Sequence, residues 1–142
     1  MTNRAGIEQG RAAFAYARAE QGKALPDKKE QERYKSYVKK IPMMIKTNGI
    51  GAAFAYMLSK KEKSEGKVYM AIGGDITDWL KELIKDGAYN FSLKDVNNFE
   101  DLSKRTVELD SSSYRALTIE VLAFLNWLKR FSEGLIEREA TD

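Results

Sequence analysis

The sequence predicts an all-α protein, a single-domain bundle of about six helices spanning residues 1–142. Three observations lead there. Apolar residues recur with the helical period of 3.6 in widely separated stretches. No segment shows the sustained apolar–polar alternation between hairpin turns that marks strands. A chain of 142 residues is long enough for one domain to bury a core without staples.

The first helix is expected over about residues 5–21. Alanine is abundant there, and Ile7 and Phe14 lie seven apart on one face. Arg4, Arg11 and Arg18 repeat at the same spacing and form one line, either a cationic contact or an ordinary solvated face. Gly22 is the expected stop, with Pro26 beyond it. Asp27 is a good N-cap for the second helix. Its inward stripe is Tyr34, Tyr37, Val38, Ile41 and Ile45. Lys35, Lys39 and Lys46 share a neighbouring face, with Lys28 on the same side. Pro42 removes a hydrogen bond and disfavours helical geometry at Ile41, so a kink or a restart is expected there.

Asn48-Gly49 offers a stop. A small-residue helix follows over about residues 50–61, with Ile50, Phe54, Met57 and Leu58 inward. Gly49 and Gly51 fit a C-cap and a close helix contact better than a phosphate cradle, because two spaced glycines are a weak phosphate signal. Residues 60–67 (KKEKSEGK) form a charged loop. The fourth helix turns Val68, Ile72, Ile76, Trp79, Leu80, Leu83 and Ile84 inward, is interrupted by Gly73-Gly74, and ends at Gly87.

Residues 88–109 are less regular. Ser92-x-x-Asp95 has the form of a capping box, and Asn98 can start a short helix through about Leu102. Asp110 or Ser111 caps the last helix. Its stripe is Tyr114, Leu117, Val121, Phe124, Leu125, Leu128 and Phe131, and Gly134 ends it. The tail after Ile136, over residues 136–142, is expected to fray.

Composition narrows the chemistry. With no cysteine there is no disulfide, thiolate metal site or cysteine nucleophile. With no histidine, the commonest general base and metal ligand is gone. Ser111, Ser112 and Ser113 lack a base and are explained by capping. Asp75, Asp78 and Glu82 share a face that can hold a hard cation, but a solvated acidic face is the simpler reading. Gly73-Gly74-Asp75 has the form of a polymerase metal turn without its two flanking strands. No catalytic set, cofactor or metal is expected. The weakly polar run over residues 50–58 is too short to span a membrane. Arg4, Glu8 and Arg11 do not fit a secretory signal, so a cytoplasmic location is expected.

The net charge of +3 is unevenly spread. Residues 1–71 carry +8 and residues 72–142 carry −5. That split suits a polyanion partner or head-to-tail self-association; the plain alternative is a monomer whose halves neutralise each other. Arg11, Arg18, Lys35, Lys39 and Lys46 are the candidate cations, since such groups track a phosphate backbone without reading sequence. Tyr16, Tyr34, Tyr37 and Tyr56 are near in sequence. They fall mostly on apolar stripes, so core packing outweighs base stacking for them.

The stretch YKSYVKKIPMMIKTNGIGAAFAYMLSK resembles the signature of the small subunit of the Cmr-type (type III-B) CRISPR RNA-guided effector complex. In that family an L/I-P-x-M-I-x-x-N-G-L-G-x-x-L-A-F pattern joins two helices. Ile41-Pro42, Met44-Ile45 and Asn48-Gly49-Ile50-Gly51 match it, with Phe54-Ala55-Tyr56 in place of L-A-F. Tyr114-Arg115, Glu120 and Trp127-Leu128-Lys129-Arg130-Phe131 resemble the closing Y-R…E…W-L-K-R-F helix, and Phe14 and Tyr16 the early one. The resemblance implies a small helical protein that is not a nuclease. Copies of it stack along a filament of larger subunits and line the channel of the guide–target duplex, contacting mainly target RNA in antiviral defence. Its partners would be other effector subunits, further copies of itself, and target and guide RNA. Lys129 and Arg130 join the candidate phosphate contacts as outlying members. The competing class is a helical protein–protein adaptor with negligible nucleic-acid contact.

Overall fold

The computed structural model describes residues 4–85, 87 and 92–137, which form six helices and, among the described residues, no strand. They are α1 (Arg4–Lys23), α2 (Lys28–Asn48), α3 (Ile50–Ser59), α4 (Gly66–Lys85), α5 (Phe99–Thr106) and α6 (Ser111–Leu135). α6 lies along α1 and α2, while α2 also touches α1, α3 and α4. α6 and α2 supply much of the buried apolar surface: Leu117, Val121, Phe124, Leu125 and Leu128 from one, Tyr34, Val38, Ile41 and Ile45 from the other. Phe14, Trp79 and Phe124 meet with ring centroids 5.5 to 6.1 Å apart and join α1, α4 and α6.

Several boundaries differ from the sequence reading, and at Gly22, Pro42 and Gly73 packing is the reason. Helix α1 runs through Gly22 to Lys23. A Cβ at position 22 would lie 2.5 Å from the Tyr34 ring, so this glycine is there for close approach. α2 runs unbroken through Pro42. The proline costs about 3 kcal/mol in a helix interior. Ile41 and Ile45 beside it are fully buried, each contributing roughly 1.5–3 kcal/mol, so burial carries the helix across. α4 likewise passes Gly73-Gly74 without a break; a Cβ at Gly73 would lie 2.5 Å from the Phe99 ring. α3 stops at Ser59, short of residue 61, and Ile84 is 36% exposed rather than inward.

The Ser92–Asp95 capping box does not form, since both residues have positive φ outside any helix. The box lies six residues later. Asn98 accepts from the Asp101 N–H at 2.8 Å, and the Asp101 carboxylate accepts from the Asn97 N–H at 3.0 Å. The helix it starts continues to Thr106, beyond the expected Leu102. Asp110 caps α6 by accepting from the Ser113 N–H. Ile136 is not frayed: it is buried, and its N–H donates to the Ser132 carbonyl. The rest of the expected frayed tail, from residue 138, lies outside the described residues.

Adjacent glycines in α4 give a direct test. Nothing lies within 4 Å of a Cβ at Gly74. Gly74→Ala should raise stability by about 0.5–1 kcal/mol through helix propensity. Gly73→Ala should lower it by about 1–3 kcal/mol, because the buried Phe99 ring cannot give way freely. Urea unfolding midpoints of the two variants measure the difference.

Candidate nucleic-acid interface

Arg11 and Arg18 do not form an exposed cationic line. Each follows an inward residue by four, Ile7 and Phe14, and therefore turns towards the body. Arg11 makes a two-pronged ion pair with Glu120, Nε and Nη2 each 2.7 Å from a carboxylate oxygen. Glu120 is 2% exposed and also accepts from the Trp79 Nε1–H at 2.9 Å. Arg18 contacts Asp75 at 3.3 Å and Asp78 at 2.9 Å. The side chain of Arg4 lies outside those described.

Asp75 is not on a solvated acidic face. It is buried, and it accepts a hydrogen bond from the Tyr34 hydroxyl. Burial pushes its carboxyl up to about 7, while the bond from Tyr34 and the charge of Arg18 hold it down, in that order. Burial, then the Asp75 charge, pushes the Tyr34 hydroxyl well above the ordinary phenol range, so it remains a donor. Among the described residues, no cluster of three or more potential ligands is arranged to hold a metal ion.

The α2 lysines are differently placed. Lys28, Lys35, Lys39 and Lys46 fall on one face by their spacing; Lys39 and Lys46 are exposed and Lys35 is half-buried. Lys35 Nζ donates to the Ile136 carbonyl at 3.0 Å. Lys35 and Lys39 line a groove of ≈ 500 Å³ with Glu32, Ser36 and Glu133. Lys129 is half-buried one turn before Glu133 on α6, and Arg130 is exposed. Within the described residues, no ion pair within 4.0 Å joins any of these lysines, or Arg130, to a carboxylate. The row therefore keeps its charge, whereas Arg11 and Arg18 are neutralised against the body.

The Gly49/Gly51 junction is a helix corner. Gly49 takes φ +91° and its N–H donates to the Ile45 carbonyl, closing α2. The Gly51 N–H donates to the Tyr114 hydroxyl at 2.9 Å. A Cβ at Gly51 would sit 3.2 Å from Val107 and 3.3 Å from that hydroxyl. The central and closing sequence motifs thus touch in space, and this N–H is engaged within the chain.

Sequence reasoning missed a second cationic group, Lys40 and Lys60 about Tyr56 and Tyr69. The signal available was Arg33 and Lys40, seven apart and one position off the lysine row.

Two outcomes follow from these placements. Arg11→Ala leaves Glu120 buried without its partner and should cost about 3–5 kcal/mol. Lys39→Ala should stay within about 0.5 kcal/mol in the same chemical denaturation assay. The second concerns pH. The folded Asp75 carboxyl titrates near 7, above its usual 3.8, so the folded state holds that proton more tightly. Its contribution is fully present below about pH 3.8 and is lost as pH rises through 7. The stability of the native chain relative to Asp75→Asn should therefore fall between about pH 4 and 7, by at most about 1.4 kcal/mol per pH unit. Urea midpoints at several pH values measure it; a flat or rising difference contradicts the assignment.

A family model described as CRISPR-associated protein (Cas_Cmr5) matches residues 7–135. A curated relative from Thermus thermophilus, "CRISPR system Cmr subunit Cmr5", is 26% identical over 104 residues, covering 73% of this chain and 75% of the relative. A crystal structure of a CRISPR-associated Cmr5 family protein, also from Thermus thermophilus, superposes with a TM-score of 0.70 at 25% identity, over 92% of this chain and 98% of the other. The six-helix body, its glycine corner against Tyr114, and a match spanning nearly the whole chain agree: the chain belongs to the Cmr5 family of CRISPR-associated proteins.

Proposed function

We infer that the chain is a small, non-catalytic subunit of a Cmr-type (type III-B) CRISPR effector complex, and that the lysine row of α2 contacts the target RNA. Family membership supports the subunit role, as does the relative described as a Cmr subunit. The observation that carries the RNA contact is the row itself: exposed Lys39 and Lys46 with Lys28 and Lys35, none ion-paired among the described residues. Uncompensated lysines on one helix face suit a phosphate backbone and read no sequence. Lys129, one turn before the groove residue Glu133, and Arg130 are outlying candidates for the same contact. Arg11 and Arg18 are left out, because their charge is taken up by Glu120, Asp75 and Asp78.

The charge left over after Arg11, Arg18 and Lys61 pair with carboxylates of the second half is what supports head-to-tail stacking of copies in the complex. A basic first half meeting an acidic second half is a heterologous contact, the kind that builds open filaments. No helix among the described residues is long and apolar enough to cross a membrane, which agrees with work in the cytoplasm. The adaptor reading has one observation in its favour: Glu32 and Glu133 share the groove with Lys35 and Lys39, so that end of the row also suits a protein surface.

The test uses the assembled effector complex carrying Lys39→Glu and Lys46→Glu. Target-RNA affinity should drop, and the slope of log affinity against log salt should become shallower by about 1 for each phosphate no longer neutralised. RNA photocrosslinking to this subunit should fall in parallel. Unaltered affinity and slope, with no crosslink to the native subunit, would establish the adaptor role instead.

A further inference from the structure

The geometry points to a second anion site on the other flank of α2, where Lys40 and Lys60 meet at Tyr56 and Lys40 also reaches the Tyr69 hydroxyl, and its ligand is a phosphate group. Arg33 acts with Lys40 on Tyr37. Arg33 and Lys40 lie seven residues apart and so share a face, turned about a third of a turn from the lysine row. Lys40 Nζ donates to the Tyr56 hydroxyl at 3.0 Å and to the Tyr69 hydroxyl at 3.3 Å. Both Lys40 and Lys60 lie over the Tyr56 ring, 4.8 and 5.0 Å from its centroid. The Arg33 guanidinium donates to the Ser64 carbonyl at 3.2 Å, which ties the loop carrying Lys60 to α2.

The platform beneath is rigid. Tyr69 is 1% exposed, stacks on Tyr37 at 4.1 Å with the rings 2° from parallel, and meets Tyr56 edge-on at 5.8 Å. Its hydroxyl therefore anchors Lys40 from inside the fold.

The balance of charge favours an external anion. Within the described residues, none of Arg33, Lys40 and Lys60 has an ion pair within 4.0 Å. Neighbouring lysines do: Lys61 in the loop pairs with Glu100, and Lys67 in the first turn of α4 with Glu30. Glu65 is the acidic group that acts on Tyr37 here. Lys40 and Lys60 on neutral tyrosines, and Arg33 on a neutral carbonyl, repel one another until an anion arrives. An ammonium has three donors, and the phenols take two of those on Lys40. Lys40 also lowers the Tyr56 hydroxyl below its usual range, making it a stronger donor to an anion. A tetrahedral group with several acceptor oxygens matches this set better than a planar carboxylate.

The phosphate can come from an RNA strand or from a free phosphate or mononucleotide. Only the first source rests on the RNA reading above. The experiment is an NMR titration of the isotope-labelled full chain with inorganic phosphate, adenosine monophosphate and a short oligouridylate, with acetate as control. Saturable shifts are expected at the Tyr56 ring and beside Lys40, weakened about tenfold in Lys40→Met, Lys60→Met and Tyr56→Phe. They should persist in the Lys39→Glu, Lys46→Glu chain, which separates this site from the lysine row. Tighter binding of the oligonucleotide than of the two small ligands assigns the site to a strand; equal binding assigns it to free phosphate. The site is refuted by shifts that never saturate, that acetate reproduces, or that survive in Lys40→Met and Lys60→Met.

Discussion

Two carboxylates lie where water cannot reach them, and the packing of the bundle depends on how they are satisfied. Glu120 in α6 and Asp75 in α4 are 2% and 5% exposed. An unpartnered charge in such a place costs far more than the few kcal/mol by which a domain is stable. Both are answered from α1, by Arg11 and Arg18, two helical turns apart. Trp79 and Tyr34 supply the remaining donors. The first helix is thereby held in one register against three others. Its apolar contribution, Phe14 between Trp79 and Phe124, sits between the two polar clamps.

This arrangement decides where free positive charge is left. The basic half of the sequence owes part of its excess to α1, yet the two arginines described there are neutralised by acidic groups of the second half. Much of what remains for a partner is on α2 and the loop after α3, with Lys129 and Arg130 on α6. α2 can carry it because its inward stripe is narrow: Tyr34, Val38, Ile41 and Ile45 use one side, leaving two flanks for lysines. One flank is open and lies beside α6. The other is organised by tyrosines rooted in α3 and α4.

The helices are legible in the sequence because each buries a stripe with the helical period. The ends are less so. Gly22 and Gly73 have the residue type of a stop, but their missing side chains make room for Tyr34 and Phe99, partners distant in sequence. Pro42 has the residue type of a break, and only the depth of burial on either side shows why the helix continues. The local pattern of a capping box occurs at Ser92 and again at Asn98, and tertiary packing selects the second. The same limit applies to the cations. Arg11 and Arg18 have the spacing of a surface line, and their carboxylates are 109 and 57 residues away. The i+4 relation to Ile7 and Phe14 is the local clue that they face inward.

The division of labour between arginine and lysine fits the chemistry of each. A guanidinium is a flat, weakly hydrated fork that matches a carboxylate two prongs at a time, as Arg11 does with Glu120. It suits a fixed partner in the interior. An ammonium on a flexible stem is a hydrated point charge, and α2 displays it outward. Such a group adapts to phosphates at varied spacing but fixes neither register nor base identity. In an RNA-guided complex, base pairing between guide and target already supplies sequence recognition. On the reading proposed above, the subunit adds backbone contacts alone, and for these a stiff frame and a row of lysines without carboxylate partners among the described residues suffice.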